Sequence, residues 1–413
     1  MSTGRSIGSR LGRDVGDGIL VQRHAFGTFD FGLTAEEEAR AELLHRHATV
    51  VDMLFQGPFG QLAYETDLRS AIAERRKELG LTRDGDWDAL TQWIDVARQA
   101  PVRAALDGDG RYQALWEESG IVGGSIGLGY NLTDFREWAL AQTQFDAFPW
   151  LVKGLRAADF HAAKEHNQRV GFVSSQDPAG LDSRLENLRY AAAFGLRVLG
   201  LTYNQRNVVG GGCTDRFDVG LSEFGIKLVS RMNALGVIVD TAHSGRQTTL
   251  DSCAVSELPV IASHTSARAL HHHDRAKDDS QLEAVAATGG VIGVCAVPAF
   301  LGRTRARGSK LTVQAILDHI DHITRVVGWQ HVGVGTDWPL QMDRQSLDAL
   351  INGLKNRGFR PEHGLSSALL DGFRDCRDFR NITRGLVARS YSDEQINGIL
   401  GLNFLRVFDA VCG

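Results

Sequence analysis

The sequence predicts an α/β protein: a (β/α)8 TIM-type barrel with a helical insertion after strand one and extra helices at its C-terminus. Three observations carry this expectation. Eight short apolar runs recur from residue 49 onward, helix-patterned segments separate them, and several runs end in polar side chains.

The runs are TVVDML (49 to 54), GIVGGSIGLG (120 to 129), RVGFVSSQ (169 to 176), LRVLGLTYN (196 to 204), GVIVDTAH (236 to 243), PVIASHTS (259 to 266), GVIGVCAV (290 to 297) and HVGVGTDW (331 to 338). Internal strands of a parallel sheet are covered on both faces, so near-continuous apolarity is what they should show. Between them, LSEFGIKLVSRMNALG keeps Leu221, Phe224, Leu228, Met232 and Leu235 at helical spacing, and Gly236 supplies a left-handed stop. DDSQLEAVAATGG reads as a helix capped by Ser280 and stopped at Gly289. After the last strand, Ser392 is placed to cap a helix whose apolar face carries Ile396, Ile399, Leu400, Phe404 and Val407.

Residues 1 to 40 are read as an N-terminal arm and 41 to 413 as a single barrel domain. Residues 66 to 117, with Trp87, Trp93 and Trp116 at helix-like positions, hold too much for one crossover and form the helical insertion. Hydrophobic content of 43% and charged content of 23% are ordinary for a chain that buries its own core. A net charge of −5 without one-sign blocks argues against nucleic acid, and no apolar run has the length of a membrane span. Five cysteines without a CxxC pair argue against a disulfide framework, and with the absence of a leader-like apolar stretch they point to a cytoplasmic protein.

Parallel barrels place chemistry at the C-terminal ends of their strands. There stand Asp52, Gln176, Tyr203 and Asn204, His243, His264 and Asp337. Imidazoles ending two successive strands, opposite a carboxylate on a third, can share a metal ion while leaving a position for water. The triple His271, His272 and His273 reads as a surface loop. VVGGGCTD (208 to 215) lacks the pattern of a phosphate cradle and reads as a mobile lid, with Cys213 a bystander.

From strand one to the C-terminus the order of motifs resembles the renal, or membrane, dipeptidase family of zinc-dependent barrel peptidases in the amidohydrolase superfamily. GLRVLGLTYNQRN, GLSEFGIKLVSRMNALGVIVDTAHSG, PVIASHTSARAL, RAKDDSQLEAVAATGGVIGV, HVGVGTDW and GILGLNFLRV carry the likeness. The resemblance implies that His243 and His264 are ligands of one zinc. It further implies that Asp337 touches the second zinc and relays a proton, and that Arg275 receives the substrate's carboxylate.

The departures are as informative. Where the family's first strand ends Asp-Gly-His-x-Asp, this chain has Asp52 followed by Leu54 and Gln56 in place of both ligands. Gln176, or less favourably Ser175, stands for the bridging glutamate, and Tyr203 for the histidine that steadies the carbonyl oxygen. A neutral amide cannot neutralise two dications, so at most one metal ion, zinc, is expected, held by His243 and His264 with Gln176 or Asp337.

The resulting expectation is a metal-dependent hydrolase cleaving an amide or peptide-like bond in a small substrate. Asp337 and Tyr203 are its catalytic groups, and Arg275, Tyr203 and Asn204 bind a carboxylate-bearing substrate. Two alternatives are a barrel repurposed for lyase, hydratase or C–C cleaving acid–base chemistry, and a non-catalytic binding homologue. The resemblance also suggests a homodimer.

Overall fold

The computed structural model describes residues 26 to 56, 108, 110 to 129, 131 to 181, 184 to 302, 311 to 337, 359 to 360, 363 and 369 to 413. The arm up to residue 25 and most of the expected insertion, with Trp87 and Trp93, lie outside the described residues.

Each of the eight apolar runs contains a strand: β1 (Val51–Asp52), β2 (Gly123–Gly127), β4 (Arg169–Ser175), β5 (Leu196–Gly200), β6 (Ile238–Asp240), β7 (Val260–Ala267), β9 (Ile292–Val294) and β10 (Val332–Val334). They pair in parallel in the order β1-β2-β4-β5-β6-β7-β9-β10. Two short strands the sequence did not reveal are added: β3 (Leu151–Lys153) beside β4, and β8 (Ala276–Lys277) beside β7. Hydrogen bonds from Met53 N to Val334 O (2.9 Å) and from Asp337 N to Leu54 O (3.0 Å) join the last strand to the first, which closes the barrel.

Alternation along the strands separates two apolar clusters, as a two-residue period requires. Val170, Phe172, Val198, Ile238 and Ile261 pack with Phe404, Leu405 and Phe408 of the C-terminal helix Asn403–Cys412. Val173, Leu199, Val239, Val260 and Ala262 join the other cluster with residues of the surrounding helices. Glycine permits the tightest approaches: a Cβ at Gly293 or Gly335 would come within 1.9 Å of the Ser263 carbonyl oxygen, so β9 and the end of β10 can close against the strand that carries His264.

Helix ends follow local chemistry. Glu223–Leu235 starts at Ser222, whose side chain accepts from Gly225 N, and stops at Gly236 with φ +66°. Asp279–Ala287 is capped by Asp278 in a box with Gln281, not by Ser280, because only Asp278 keeps the extended backbone of a cap. Ser392 caps as expected, and Ile396, Ile399, Leu400, Phe404 and Val407 are all buried. Of the expected insertion, the helix Arg111–Ser119 is described, with Tyr112 and Trp116 buried against Phe148 and Trp150. Within the expected arm, Gly27 N donates to Asp378, and Arg384 donates to the carbonyls of Gly27 and Phe29, tying the chain to the helix Phe379–Ala388. Among the described residues no helix is long and apolar enough to cross a membrane.

A repeated device locks neighbouring strands. Asp52 accepts from Leu54 N two residues on, and from Thr336 N (2.9 Å) and Thr336 Oγ1 (2.6 Å) across the seam. Asp240 does the same with Ala242 N, and with Ser263 N (2.9 Å) and Ser263 Oγ (2.5 Å) on β7. Complete burial pushes the Asp52 carboxyl up from 3.8 to about 6, against the pull of these donors. A folded pKa above the unfolded value means that the protonated form is favoured in the fold. The associated stability is present below about pH 4 and lost as pH rises through 6. Asp52→Asn should therefore gain on the native chain by ~3 kcal/mol between pH 4 and 7.5, read as the change in urea-unfolding free energy. A difference that does not vary with pH would refute this.

Candidate active site

Five side chains from different strand ends converge. His243 Nε2 lies 2.9 Å from His264 Nε2 and 2.9 Å from Gln176 Oε1. Asp337 Oδ2 is 3.9 Å from His264 Nε2. Tyr203 stacks on the His243 ring at 4.3 Å between centroids and 27° between planes. The sequence-predicted residues Gln176, Tyr203, His243, His264 and Asp337 are thus brought to one mouth.

The groups behind the imidazoles fix their orientation. His243 Nδ1 lies 2.7 Å from Asn204 Oδ1, which holds the ring from behind. Ser263 gives its hydroxyl proton to Asp240, so its oxygen accepts from His264 Nδ1 at 2.7 Å. Burial first, then Arg275 and Lys277, hold the His264 imidazole well below its usual pKa, so it is neutral. Both Nε2 atoms face the same small space, with the Gln176 carbonyl and the Asp337 carboxylate at its edge. Two ring nitrogens converging on one space form a cation-binding arrangement when neither carries the proton, and imidazoles held from behind are how protein ligands of metals are usually oriented.

Among the described residues the donors gathered here suit a single divalent cation. Among the described residues no three His, Cys, Asp or Glu side chains gather as a ligand set, because the third close donor here is an amide. On β1's side Leu54 is buried and Gln56 donates to Asp337 Oδ1 at 3.2 Å, so the two positions that would carry further ligands hold a core residue and an amide that orients a carboxylate. Burial raises the Asp337 carboxyl from 3.8 to about 6, opposed by Arg275 and the Gln56 hydrogen bond. Asn204 and Asp337 both adopt left-handed backbone, at φ +60° and +50°, a conformation that Asn and Asp tolerate better than most residues.

Several sequence expectations change. Asn204 is buried behind His243 as its orienting partner and does not present its carbonyl to a substrate. Arg275 is only 1% exposed, with its guanidinium donating to the carbonyls of Ala242 and His264, so it does not stand ready for a carboxylate. Of the three histidines read as a surface loop, His273 turns inward, accepting from Arg275 N (3.0 Å) and lying 3.0 Å from the His363 carbonyl oxygen. The glycine-rich loop is stitched down: Cys213 N donates to His243 O (2.9 Å), Gly245 N to Gly211 O (3.0 Å), and Thr214 N to Asn204 O (2.8 Å). Glycine is required there, since a Cβ at Gly212 would meet Asn204 O at 2.1 Å. Cys213 Sγ lies 3.6 Å from Asn204 Oδ1, and burial pushes its thiol pKa up, away from nucleophilic character. Sequence reading missed Asp240, Ser263 and Lys277, and it named Gln56 only as the replacement of a ligand. The doubled VD at the ends of β1 and β6 was the available signal for the first.

A closed parallel barrel with polar side chains gathered at the C-terminal ends of its strands belongs to the (β/α)8 class, whose sites stand at that face. Residues 151 to 365 match the family model described as membrane dipeptidase, peptidase family M19, and the chain belongs to that family. It is 34% identical over 262 residues to an uncharacterized dipeptidase of Schizosaccharomyces pombe, covering 61% of this chain and 56% of that one. It is 29% identical over 226 residues to the dipeptidase VerJ of Clonostachys rogersoniana, covering 54% and 50%. The chain thus spans about half the length of these curated relatives. Among solved structures, an amidohydrolase from Pseudomonas aeruginosa superposes with a TM-score of 0.67 at 22% identity, covering 90% of this chain and 98% of that one, a likeness of fold.

Proposed function

We propose that this chain is a metal-dependent hydrolase that cleaves an amide or peptide-like bond in a small substrate, using one cation, with zinc as the ion. The observation that carries the reading is the approach of the His243 and His264 Nε2 atoms to 2.9 Å beside Gln176 Oε1. His243 and His264 would hold the ion, with Gln176 as the third donor and Asp337 at the open side. When bound, such a cation supplies Lewis acidity to a carbonyl oxygen and to water.

The chain's own residues supply the rest. Gln56 fixes one oxygen of Asp337, leaving Oδ2 toward the mouth to take a proton and return it to a leaving amine. Tyr203 braces the His243 ring and carries a phenol suited to donating to a carbonyl oxygen. Family membership and the dipeptidase-named relatives support a small peptide as substrate.

The test is elemental mass spectrometry of protein purified without chelator, beside a turnover screen of dipeptides and N-acyl amino acids. About one zinc per chain with hydrolysis of a screened compound is the expected result. Neither ion nor hydrolysis would overturn it. That outcome would favour a second reading, metal-free acid–base chemistry, in which the 2.9 Å approach of the two Nε2 atoms is a hydrogen bond between one protonated and one neutral ring.

A further inference from the structure

Three consecutive carbonyls around His243 are captured by separate donors. Ala242 O accepts from the Arg275 guanidinium, His243 O from Cys213 N at 2.9 Å, and Ser244 O from Lys277 Nζ at 2.8 Å. The other arm of Arg275 donates to His264 O at 3.1 Å, so one guanidinium joins the backbones of both imidazole-bearing strand ends. Lys277 completes its set on Thr249 Oγ1 at 3.0 Å.

Both cations are buried, with Arg275 1% and Lys277 2% exposed. Residues two apart on an extended chain project to the same side, and the short strand β8, by pairing Ser266 with Ala276, sets that side toward the β6 end. Burying two cations is costly, and here they are compensated by main-chain dipoles more than by counter-ions. A substrate anchor would have to keep its fork open to the mouth. In Arg275 only Nε lacks a partner.

We infer that Arg275 and Lys277 form a cationic clamp that positions His243 and His264, and that Arg275 serves as a positioning residue and not as the receptor of a substrate carboxylate. The clamp explains why β8 exists at all in a barrel already closed by eight strands. The inference rests on His243 being a working residue, as proposed above.

The experiment is hydrogen–deuterium exchange of the full chain over peptides covering residues 241 to 246, for the native protein, Lys277→Met, Lys277→Arg and Arg275→Lys. Zinc affinity is measured alongside by competition with a chromophoric chelator, and N-acetylglycine binding by calorimetry. Loss of a charge-assisted hydrogen bond should speed exchange at 241 to 246 by at least about tenfold in Lys277→Met, with peptides from 403 to 412 unchanged. Zinc affinity should fall by about tenfold in the same variant, and Lys277→Arg should restore both. Arg275→Lys, which can span only one of its two carbonyls, should show the same accelerated exchange, and it serves in place of Lys277→Met if that protein does not fold. Native exchange in both Lys277→Met and Arg275→Lys would overturn the clamp. So would an Arg275→Lys chain that loses N-acetylglycine binding while exchange and zinc affinity stay native, since that pattern belongs to a substrate anchor. Exchange needs neither ion nor turnover, so the clamp is decided even if the native protein fails the metal and turnover test.

Discussion

Replacing His243 with alanine should remove the bound ion and reduce turnover by a factor of at least ~10³, with the fold retained. The variant deletes one of two lone-pair donors and leaves Asn204 and Gln176 facing a gap that water can fill, because His243 lies at the mouth between Tyr203 and the Gln176 amide. His264→Ala should abolish the same functions at greater cost to stability. That ring is fully buried, and its removal strands Ser263 and Asp240 behind it, so a loss of ~2–4 kcal/mol follows from the cavity and the broken relay together. The paired measurement is zinc per chain and the turnover of whichever compound the native protein cleaves. A His243→Ala protein that keeps its ion and its full rate would remove the basis of the proposed chemistry.

Asp337→Asn should lower turnover by ~10²–10⁴-fold while leaving the ion and the fold in place. Asparagine suits the left-handed backbone at φ +50°, and its amide can still meet Gln56, so the substitution takes away the proton acceptor and little else. With the carboxyl raised to about 6, the native rate should climb as pH rises through that value, because only the ionised form accepts a proton. A bound cation, favouring the carboxylate, moves that limb to lower pH. The Asn variant should lack the limb altogether. A variant with a native acid limb would assign the titration, and the proton transfer, to another group.

The two aspartates that lock β1 to β10 and β6 to β7 show how stability and function share residues in this fold. Besides its own Leu54 N, Asp52 accepts from Thr336 across the barrel seam, whereas Asp240, in the same geometry, also holds the Ser263 hydroxyl on which His264 leans. An equivalent substitution therefore has different expected outcomes at the two positions: a pH-dependent stability change at Asp52, and at Asp240 a loosened imidazole as well.

What the sequence by itself determined is the periodic part of the molecule. Eight apolar runs place eight strands, helical spacing from Leu221 to Leu235 with Gly236 places the helix between β5 and β6, and Gln176, His243, His264 and Asp337 fall at strand ends because a parallel barrel has only one end for them. Those facts are local: they depend on side-chain period and backbone chirality, which a chain carries wherever it folds. The first strand's lost ligands were also legible, as Leu54 and Gln56. What became of them was not, since the Gln56–Asp337 hydrogen bond joins residues 281 positions apart. Tertiary structure alone decided that Asn204 backs His243, that Arg275 points inward to two carbonyls instead of outward to a substrate, that one histidine of three is buried, and that the glycine-rich loop is fastened to the backbones of Asn204, His243 and Gly245. In each case a polar side chain or main-chain donor had two possible partners, solvent or a distant carbonyl. Only the packed chain, by removing the water, selects between them.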